Sequence, residues 1–341
     1  MKKSMIFSVV LVMIVVFSMG LAFGAEKAIK FAYLGKPDPH KAAYTTGVVN
    51  FAHLMEKGSG GRLKVSIFPS GTLGKETDIL QAVRSNAVQM TSASMVTLSR
   101  IFPPAQVMMA PYVFKNDAIA WEVVDGPYGR KLLDAFTEKT GIKALAIVDS
   151  GFLAITNNKR AVRKPADFKG IKFRAMGPLQ AAMFKALGAS AVPIPWPETY
   201  TSLQTGVVDG QTNAAFVVAV FKLYEVQKYM SLANSQFGYQ IWLCNKSWYD
   251  NLSEADKGIL RDAVKAGRLS TRSMALLREQ ESLTQLKKEG MKTAALTGEE
   301  ISALQKLAGP NCLKWLKTRM DPKWVDDMLR AIADAEKKLG Y

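Results

Sequence analysis

One arginine lies in a sequence context that suits the binding of an anion. The two-residue period of a strand places Ile171 and Phe173 on one face and Arg174 on the other, at the strand's carboxyl end. Gly177-Pro178 then starts a helix, because proline suits the first helical position. A guanidinium beside a helix N-terminus favours a carboxylate, since its fork contacts both oxygens while free backbone N–H groups add positive charge. A salt bridge between two elements is the alternative.

An aromatic and an amide side chain follow at positions that suit contacts with a ligand. Proline on both sides of Trp196 stiffens the backbone, so the indole is either a wall for stacking or a core residue. Asn213 follows an apolar run that ends in Asp209-Gly210. Its amide suits the orientation of a carboxylate or hydroxyl, although asparagine after a strand is also a common turn former.

Signatures of catalysis and of metal binding are missing from the sequence. It has no Gly-x-Ser-x-Gly or His-Glu-x-x-His motif, and neither His40 nor His53 has a partner at metal-ligand spacing. Cys244 and Cys312 are too few for a zinc ribbon, an iron–sulfur cluster or a disulfide-dense scaffold, and they form either one disulfide or two buried thiols. We therefore expect no enzyme activity, no cofactor and no metal.

The N-terminus has the pattern of a secretory signal peptide. Lys2 and Lys3 precede an apolar run from 5 to 17, and Ala22-Phe23-Gly24 supplies small residues before a cleavage site near Gly24/Ala25. The net charge of +16 by itself suits nucleic acid, an anionic membrane or an acidic small molecule. Export and the scattering of the Lys and Arg residues favour a solvated surface that steers anions, so we expect no nucleic-acid partner.

The elements that position these residues alternate between strand and helix. The first set has strands at 28–34, 63–68, 88–92 and 143–149, with helices at 41–57, 74–85 and 118–139. The second set has strands at 152–156, 170–174, 189–194 and 207–211, with helices at 178–187 and 198–205. This pattern predicts two α/β domains with largely parallel sheets.

A long helix is expected near the C-terminus. After a strand at 239–245, the segment 253–289 predicts one helix of about 37 residues, or roughly 55 Å at 1.5 Å per residue. Such a helix is longer than a small domain is wide, so we expect it to cross both domains. Further helices follow Thr297 and Pro322, the last ending near Gly340. Two domains with a crossing helix leave a cleft between them, where small ligands usually bind.

Several segments, taken in order, resemble the DctP-type substrate-binding proteins of tripartite ATP-independent periplasmic (TRAP) transporters. In the second half of the chain they are DFKGIKFR at 167–174, MFKALGA at 183–189, PIPW at 193–196, LQTGVVDG at 203–210 and YEVQKY at 224–229. In the first half they are FPSGTLG at 68–74 and APYVF at 110–114. The resemblance covers nearly the whole chain after the signal peptide.

This resemblance implies a two-lobed periplasmic binding protein of the type II-like α/β class. Its domains would be joined by crossing strands and one long helix, with residues 25–150 and about 240–279 in lobe I and residues 151–239 and about 280–341 in lobe II. Such a protein closes on an organic acid and delivers it to the small and large membrane subunits of an ion-gradient-driven permease. A binding protein for an ATP-driven importer or a sensor kinase shares the two-lobe plan and is the alternative.

The resemblance also implies the residues of the ligand site. Arg174 would clamp the ligand carboxylate, Trp196 would form the aromatic wall, and Asn213 would orient the carboxylate. The further expected contacts are His40, Glu76, Ser92, Ser94, Glu198 and Tyr239.

One position departs from the family pattern. Many members carry a second basic residue just after the chain enters the second lobe, and here Leu153 occupies that place. We therefore predict a monocarboxylate whose other end is apolar or neutral and lies toward Leu153.

Overall fold

The structure, a computed structural model, describes residues 27–341, and the predicted signal peptide lies outside this range. The strands are β1 (Lys27–Ala32), β2 (Leu63–Phe68), β3 (Met90–Ser94), β4 (Ile142–Phe152), β5 (Ala154–Asn157), β6 (Lys172–Ala175), β7 (Ser190–Pro193), β8 (Gly210–Asn213), β9 (Tyr229–Leu232), β10 (Phe237–Asn245) and β11 (Lys292–Ala295).

Twelve α-helices occur in the described range. They are α1 (Ala43–Gly58), α2 (Glu76–Arg84), α3 (Met95–Leu98), α4 (Asp117–Asp125), α5 (Pro127–Thr140), α6 (Pro178–Ala186), α7 (Thr199–Gln204), α8 (Ala215–Val220), α9 (Lys246–Asp250), α10 (Glu254–Lys288), α11 (Gly298–Lys317) and α12 (Lys323–Leu339). None of these helices combines the length and apolarity that a membrane crossing requires.

Two sheets form the cores of two lobes, which confirms the predicted α/β class. The sheet of the first lobe has the order β2-β1-β3-β10-β4, and that of the second has the order β11-β9-β5-β8-β6-β7. Both sheets are mixed, so the prediction of largely parallel sheets is wrong. Strand β10 runs antiparallel to β3 and β4, and β5 runs antiparallel to β8 and β9. The β4–β10 pairing joins segments far apart in sequence, which local patterns do not reveal.

The lobes are connected where β4 and β10, called the hinge strands below, run side by side into the second lobe. Helix α10 has 35 residues, close to the single long helix predicted over 253–289, and it contacts both α1 of the first lobe and α8 of the second. Glycines let it lie close to the first sheet: a Cβ on Gly267 would stand 2.7 Å from Cη2 of the buried Trp242. Ser253 caps its N-terminus by accepting from the Asp256 N–H.

Two expectations about the helices need correction. The stretch 118–139 forms two helices rather than one, because Gly126 ends α4 and Pro127 starts α5. The last helix, assigned with 280–341 to the second lobe, packs instead on α4 and α5 of the first lobe. Its amphipathic face buries Val325, Met328 and Ile332 in that core, and this burial stabilises the position of the helix on the first lobe.

Of the two alternatives for the cysteines, the structure shows two buried free thiols, Cys244 and Cys312.

Candidate functional site

A cleft of about 430 Å³ lies between the two lobes. Its first-lobe wall comes from the loop after β1, the first turns of α1 and α2, the end of β3 and the start of α3. Its second-lobe wall comes from β6, the segment after β7, the end of β8 and helix α8. The predicted site residues that line it are Glu76, Ser94, Leu153, Arg174, Trp196, Asn213 and Tyr239.

Arg174 lies in the cleft wall on β6 and is 4% exposed. Its Nε donates a hydrogen bond to the Ile194 carbonyl at 2.9 Å, which fixes the guanidinium plane. Its Nη1 is buried and has no hydrogen-bond partner among the described residues. Burial lowers the pKa of Arg174 to about 10, and the negative charge of Glu76 acts in the opposite direction. An arginine with an unsatisfied buried N–H in a cleft wall is suited to receive an anion.

Trp196 forms the aromatic part of the same wall. It starts a short 3₁₀ turn (Trp196–Glu198) between two prolines, and its ring centroid lies 5.7 Å from the Arg174 guanidinium carbon. Phe221 packs edge-on against it, with ring centroids 4.8 Å apart and planes at 83°. The indole is therefore packed against an aromatic ring and also lies close to the Arg174 cation.

Glu76 and Ser94 face the cleft from the first lobe. The Glu76 carboxylate accepts hydrogen bonds from the Ser94 N–H at 2.8 Å, from the Ser94 hydroxyl at 2.6 Å and from the Thr97 hydroxyl. These three donors satisfy most of the lone pairs of the carboxylate and hold it in one position. Glu76 is thus a fixed negative charge in the first-lobe wall.

Asn213 ends β8 at the cleft, and its Nδ2 donates to the Gln211 side-chain oxygen. Gln211 in turn donates to Thr156 at 2.9 Å, so the amide is anchored to the sheet of the second lobe. Leu153 is buried in the cleft lining, where its apolar side chain offers a ligand neither a charge nor a hydrogen bond.

The structure places three of the expected contact residues outside the cleft lining. His40 is exposed, and its backbone N–H donates to Asp38. Ser92 is buried within the sheet and donates to Gln240 of β10. Glu198 lies outside the lining, where its carboxylate is 3.3 Å from the Lys75 ammonium of the first lobe.

Tyr239 lines the cleft and has a buried hydroxyl without a hydrogen-bond partner in the described chain. Its ring packs on Phe237 with centroids 5.0 Å apart, and burial raises its pKa well above the usual range. Asp149, Tyr128 and Asp117 raise this pKa further. The ring is thus part of the core next to the hinge strands as well as of the cleft wall.

Several lining residues were not expected from the sequence. Tyr44 of α1, Ser150 of β4 and Phe216 of α8 are among them. Phe216 belongs to the apolar run AFVVAV, which is indistinguishable in sequence from a core segment. The one signal that could have placed this run near the site is its position two residues after Asn213.

No group of three or more His, Cys, Asp or Glu side chains is placed to hold a metal ion within residues 27–341.

Residues 35–318 match the family model described as "Bacterial extracellular solute-binding protein, family 7", DctP. The chain belongs to the DctP family. This match confirms the family that the sequence motifs indicated. Members of this family are solute-binding proteins and not enzymes.

Solved structures of DctP-family proteins share the two-lobed fold. The sugar acid binding protein of Advenella mimigardefordensis, solved with galactonate, is 31% identical, with a TM-score of 0.86 over 91% of this chain and 99% of its own. A TRAP solute-binding protein of Bordetella, with density assigned to pantoate, is 30% identical, with a TM-score of 0.82 over 89% and 99%. A comparison by sequence alone gives a further relative. The C4-dicarboxylate-binding periplasmic protein of Rhodobacter capsulatus is 31% identical over 83% of this chain and 84% of its own.

Proposed function

We propose that this DctP-family protein captures a monocarboxylate in the inter-lobe cleft by pairing its carboxylate with Arg174. The observation that supports this most directly is the buried Nη1 of Arg174, which has no partner among the described residues. A buried donor without a partner is unfavourable, and an incoming carboxylate satisfies it with a charge-assisted bond. Trp196 would pack on the ligand, and Asn213 would orient the carboxylate.

The preference for a single carboxylate is supported by the charges around the cleft. Arg174 is the only buried cation in the lining formed by the described residues. Lys36, Lys75 and Arg100 also line the cleft, but all three are exposed, and Lys75 already pairs with Glu198. A second carboxylate near Leu153 would find no cation, and one near the first-lobe wall would be repelled by Glu76.

In this proposal the protein acts in the periplasm and delivers the acid to a TRAP permease. Two lobes that enclose a ligand between them bind it by closure, because the closed form gains contacts that the open form lacks. The sequence pattern of an export signal and the family membership both support a periplasmic location. The small and large permease subunits would then be the protein partners.

A thermal-shift screen tests the ligand class. The mature protein would be heated with galactonate, pantoate and D-erythronate as monocarboxylates and with succinate as a dicarboxylate. We expect at least one monocarboxylate to raise the melting temperature, since a ligand that binds only the folded state stabilises it. Stabilisation by succinate alone would contradict the proposal. Mass spectrometry of small molecules released from the denatured protein then identifies any acid that copurifies.

A further inference from the structure

Helix α8 forms part of the cleft wall but has no N-terminal cap of its own. It has only six residues, it follows Asn213 closely, and Phe216, Val217 and Val220 line the cleft. Its N-cap residue is Ala214, which has no side-chain oxygen to accept from the free N–H groups of the first turn. So short a helix depends on contacts from outside itself.

A carboxylate from the crossing helix supplies these contacts. Glu279 of α10 accepts the Ala215 N–H on Oε1 at 3.1 Å and the Phe216 N–H on Oε2 at 3.2 Å. Both carboxylate oxygens are therefore used on two successive amides of α8. These charge-assisted bonds satisfy free N–H groups of the first turn, as an N-cap side chain does in other helices.

Glu279 does not line the ligand cleft. It lines a separate cavity of about 160 Å³ behind the hinge strands, together with Asp117 of α4, Asp149 of β4 and Arg272 of its own helix. Arg272 forms ion pairs with two other carboxylates. Its Nη2 lies 2.8 Å from Asp149 Oδ1, and its Nη1 lies 3.0 Å from Asp125 Oδ2. Glu279 forms no ion pair with a cation of the described chain, so its main polar partners are the two amides of α8.

We propose that Glu279 is a positioning residue of the binding site, which fixes α8, and with it the wall of Asn213 and Phe216, from behind the hinge. The inference deepens the proposed function, because it concerns the wall against which the acid would bind. A wall that shifts relative to Arg174 and Trp196 loses its preorganisation, and affinity falls although no ligand contact is removed.

The electrostatic surroundings of the Glu279 carboxylate agree with this role. Burial raises the pKa of Glu279, whereas the N–H groups of Ala215 and Phe216 lower it. Asp117 raises it further from the first lobe. The two amides therefore stabilise the charged form in a place that otherwise disfavours it.

Amide exchange without ligand tests the anchoring directly. Protection of the Ala215 and Phe216 N–H groups would be measured by NMR in the wild type, Glu279→Gln and Glu279→Ala. We expect about tenfold or greater loss of protection in Glu279→Ala, with Glu279→Gln between, since glutamine keeps one acceptor oxygen. Glu281→Gln is the matched control, because Glu281 lies two residues along on the exposed face of α10 and pairs with Arg278.

A second measurement separates positioning from general stability. Calorimetry with galactonate, pantoate and succinate would compare affinities, and urea unfolding would compare stabilities. We expect Glu279→Gln to weaken binding of whichever of these acids the wild type binds, while its unfolding midpoint does not fall below that of Glu281→Gln.

Unchanged protection at 215–216, or an equal loss of protection throughout the protein, would overturn the proposal. Because protection is measured without ligand, it decides the anchoring even if the wild type binds none of the three acids. That last result would count against the proposed ligand class and not against the role of Glu279 in fixing α8.

Discussion

Gly177 and Val96 meet across the inter-lobe cleft so closely that a Cβ on Gly177 would lie 2.5 Å from Cγ1 of Val96. Gly177 precedes α6 in the second lobe, and Val96 lies on α3 in the first lobe. The φ of Gly177 is −171°, which is extended backbone that any residue adopts. The missing side chain therefore serves the approach of the lobes and not the local backbone.

Gly177→Ala is expected to weaken ligand binding by about 1–3 kcal/mol, because the extra methyl overpacks the closed cleft. The melting temperature without ligand should change little if the lobes then separate. Gly298→Ala is the control, since a Cβ there meets nothing within 4 Å. Calorimetry with the stabilising acid of the thermal-shift screen measures the effect, and equal affinities for the two variants would show that the contact does not limit closure.

Arg174→Ala is expected to weaken binding of the acid by about 2–5 kcal/mol, the usual loss when one partner of a buried charged pair is removed. Arg174→Lys should recover only part of this, because an ammonium keeps the charge but loses the planar fork and the Nε bond to Ile194. Calorimetry on both variants checks the order. If both bind as tightly as the wild type, Arg174 does not bind the carboxylate.

Local sequence signals are sufficient for most elements but not for their arrangement. Strand β2 is predicted at 63–68 and occurs there, because a glycine run and a proline bound it. The last helix is predicted correctly as an element, yet its return to the first lobe depends on apolar contacts with residues about 200 positions earlier. Nothing within the helix itself distinguishes one lobe from the other.

The candidate site divides in the same way. Arg174 and Trp196 can be found because a strand end and a pair of prolines are local features. Ser92 and Ser94 share one face of β3 and are both expected in the cleft, but only Ser94, the last residue of the strand, lines it. Glu279 could not be found, since it lies in a long charged helix and its partners Ala215 and Phe216 are more than 60 residues away.

Arg272→Ala is expected to lower the free energy of unfolding by about 3–5 kcal/mol, because it leaves the charge of Asp149 buried without its cation. Asp149 is 2% exposed, and Arg272 contacts it through Nε and Nη2 at 3.0 and 2.8 Å. Trp121 donates to the other Asp149 oxygen at 2.9 Å, which keeps the carboxylate in place.

Urea unfolding measures this loss, and an exposed ion pair provides the comparison. Arg330 pairs with Asp327, but its side chain is 69% exposed, so Arg330→Ala should cost no more than about 1 kcal/mol. Similar losses for the two variants would mean that the hinge ion pairs contribute no more than a surface pair does.

Two half-buried carboxylates behind the hinge strands, Asp117 and Glu279, predict a pH dependence of stability. Burial raises the pKa of Asp117 and of Glu279, and Asp149 raises that of Asp117 further. A raised pKa means that the folded chain holds its proton at higher pH than the unfolded chain does. The folded state then binds more protons between the ordinary carboxyl pKa of about 4 and the raised values. The charged forms therefore disfavour folding at neutral pH, and this effect disappears as the pH falls through that window.

Asp117→Asn removes one of these charges, so its free energy of unfolding should exceed that of the wild type at neutral pH. The difference should shrink as the pH falls toward about 4, where Asp117 is protonated in the folded state and increasingly so in the unfolded state. Asp327→Asn should show the opposite sign, because Lys131 and Arg330 lower the pKa of Asp327 and stabilise its charged form. Urea unfolding across this pH range measures both differences. A gain in Asp117→Asn that is constant with pH would assign the effect to packing, and a loss at neutral pH would show that the Asp117 charge stabilises the hinge.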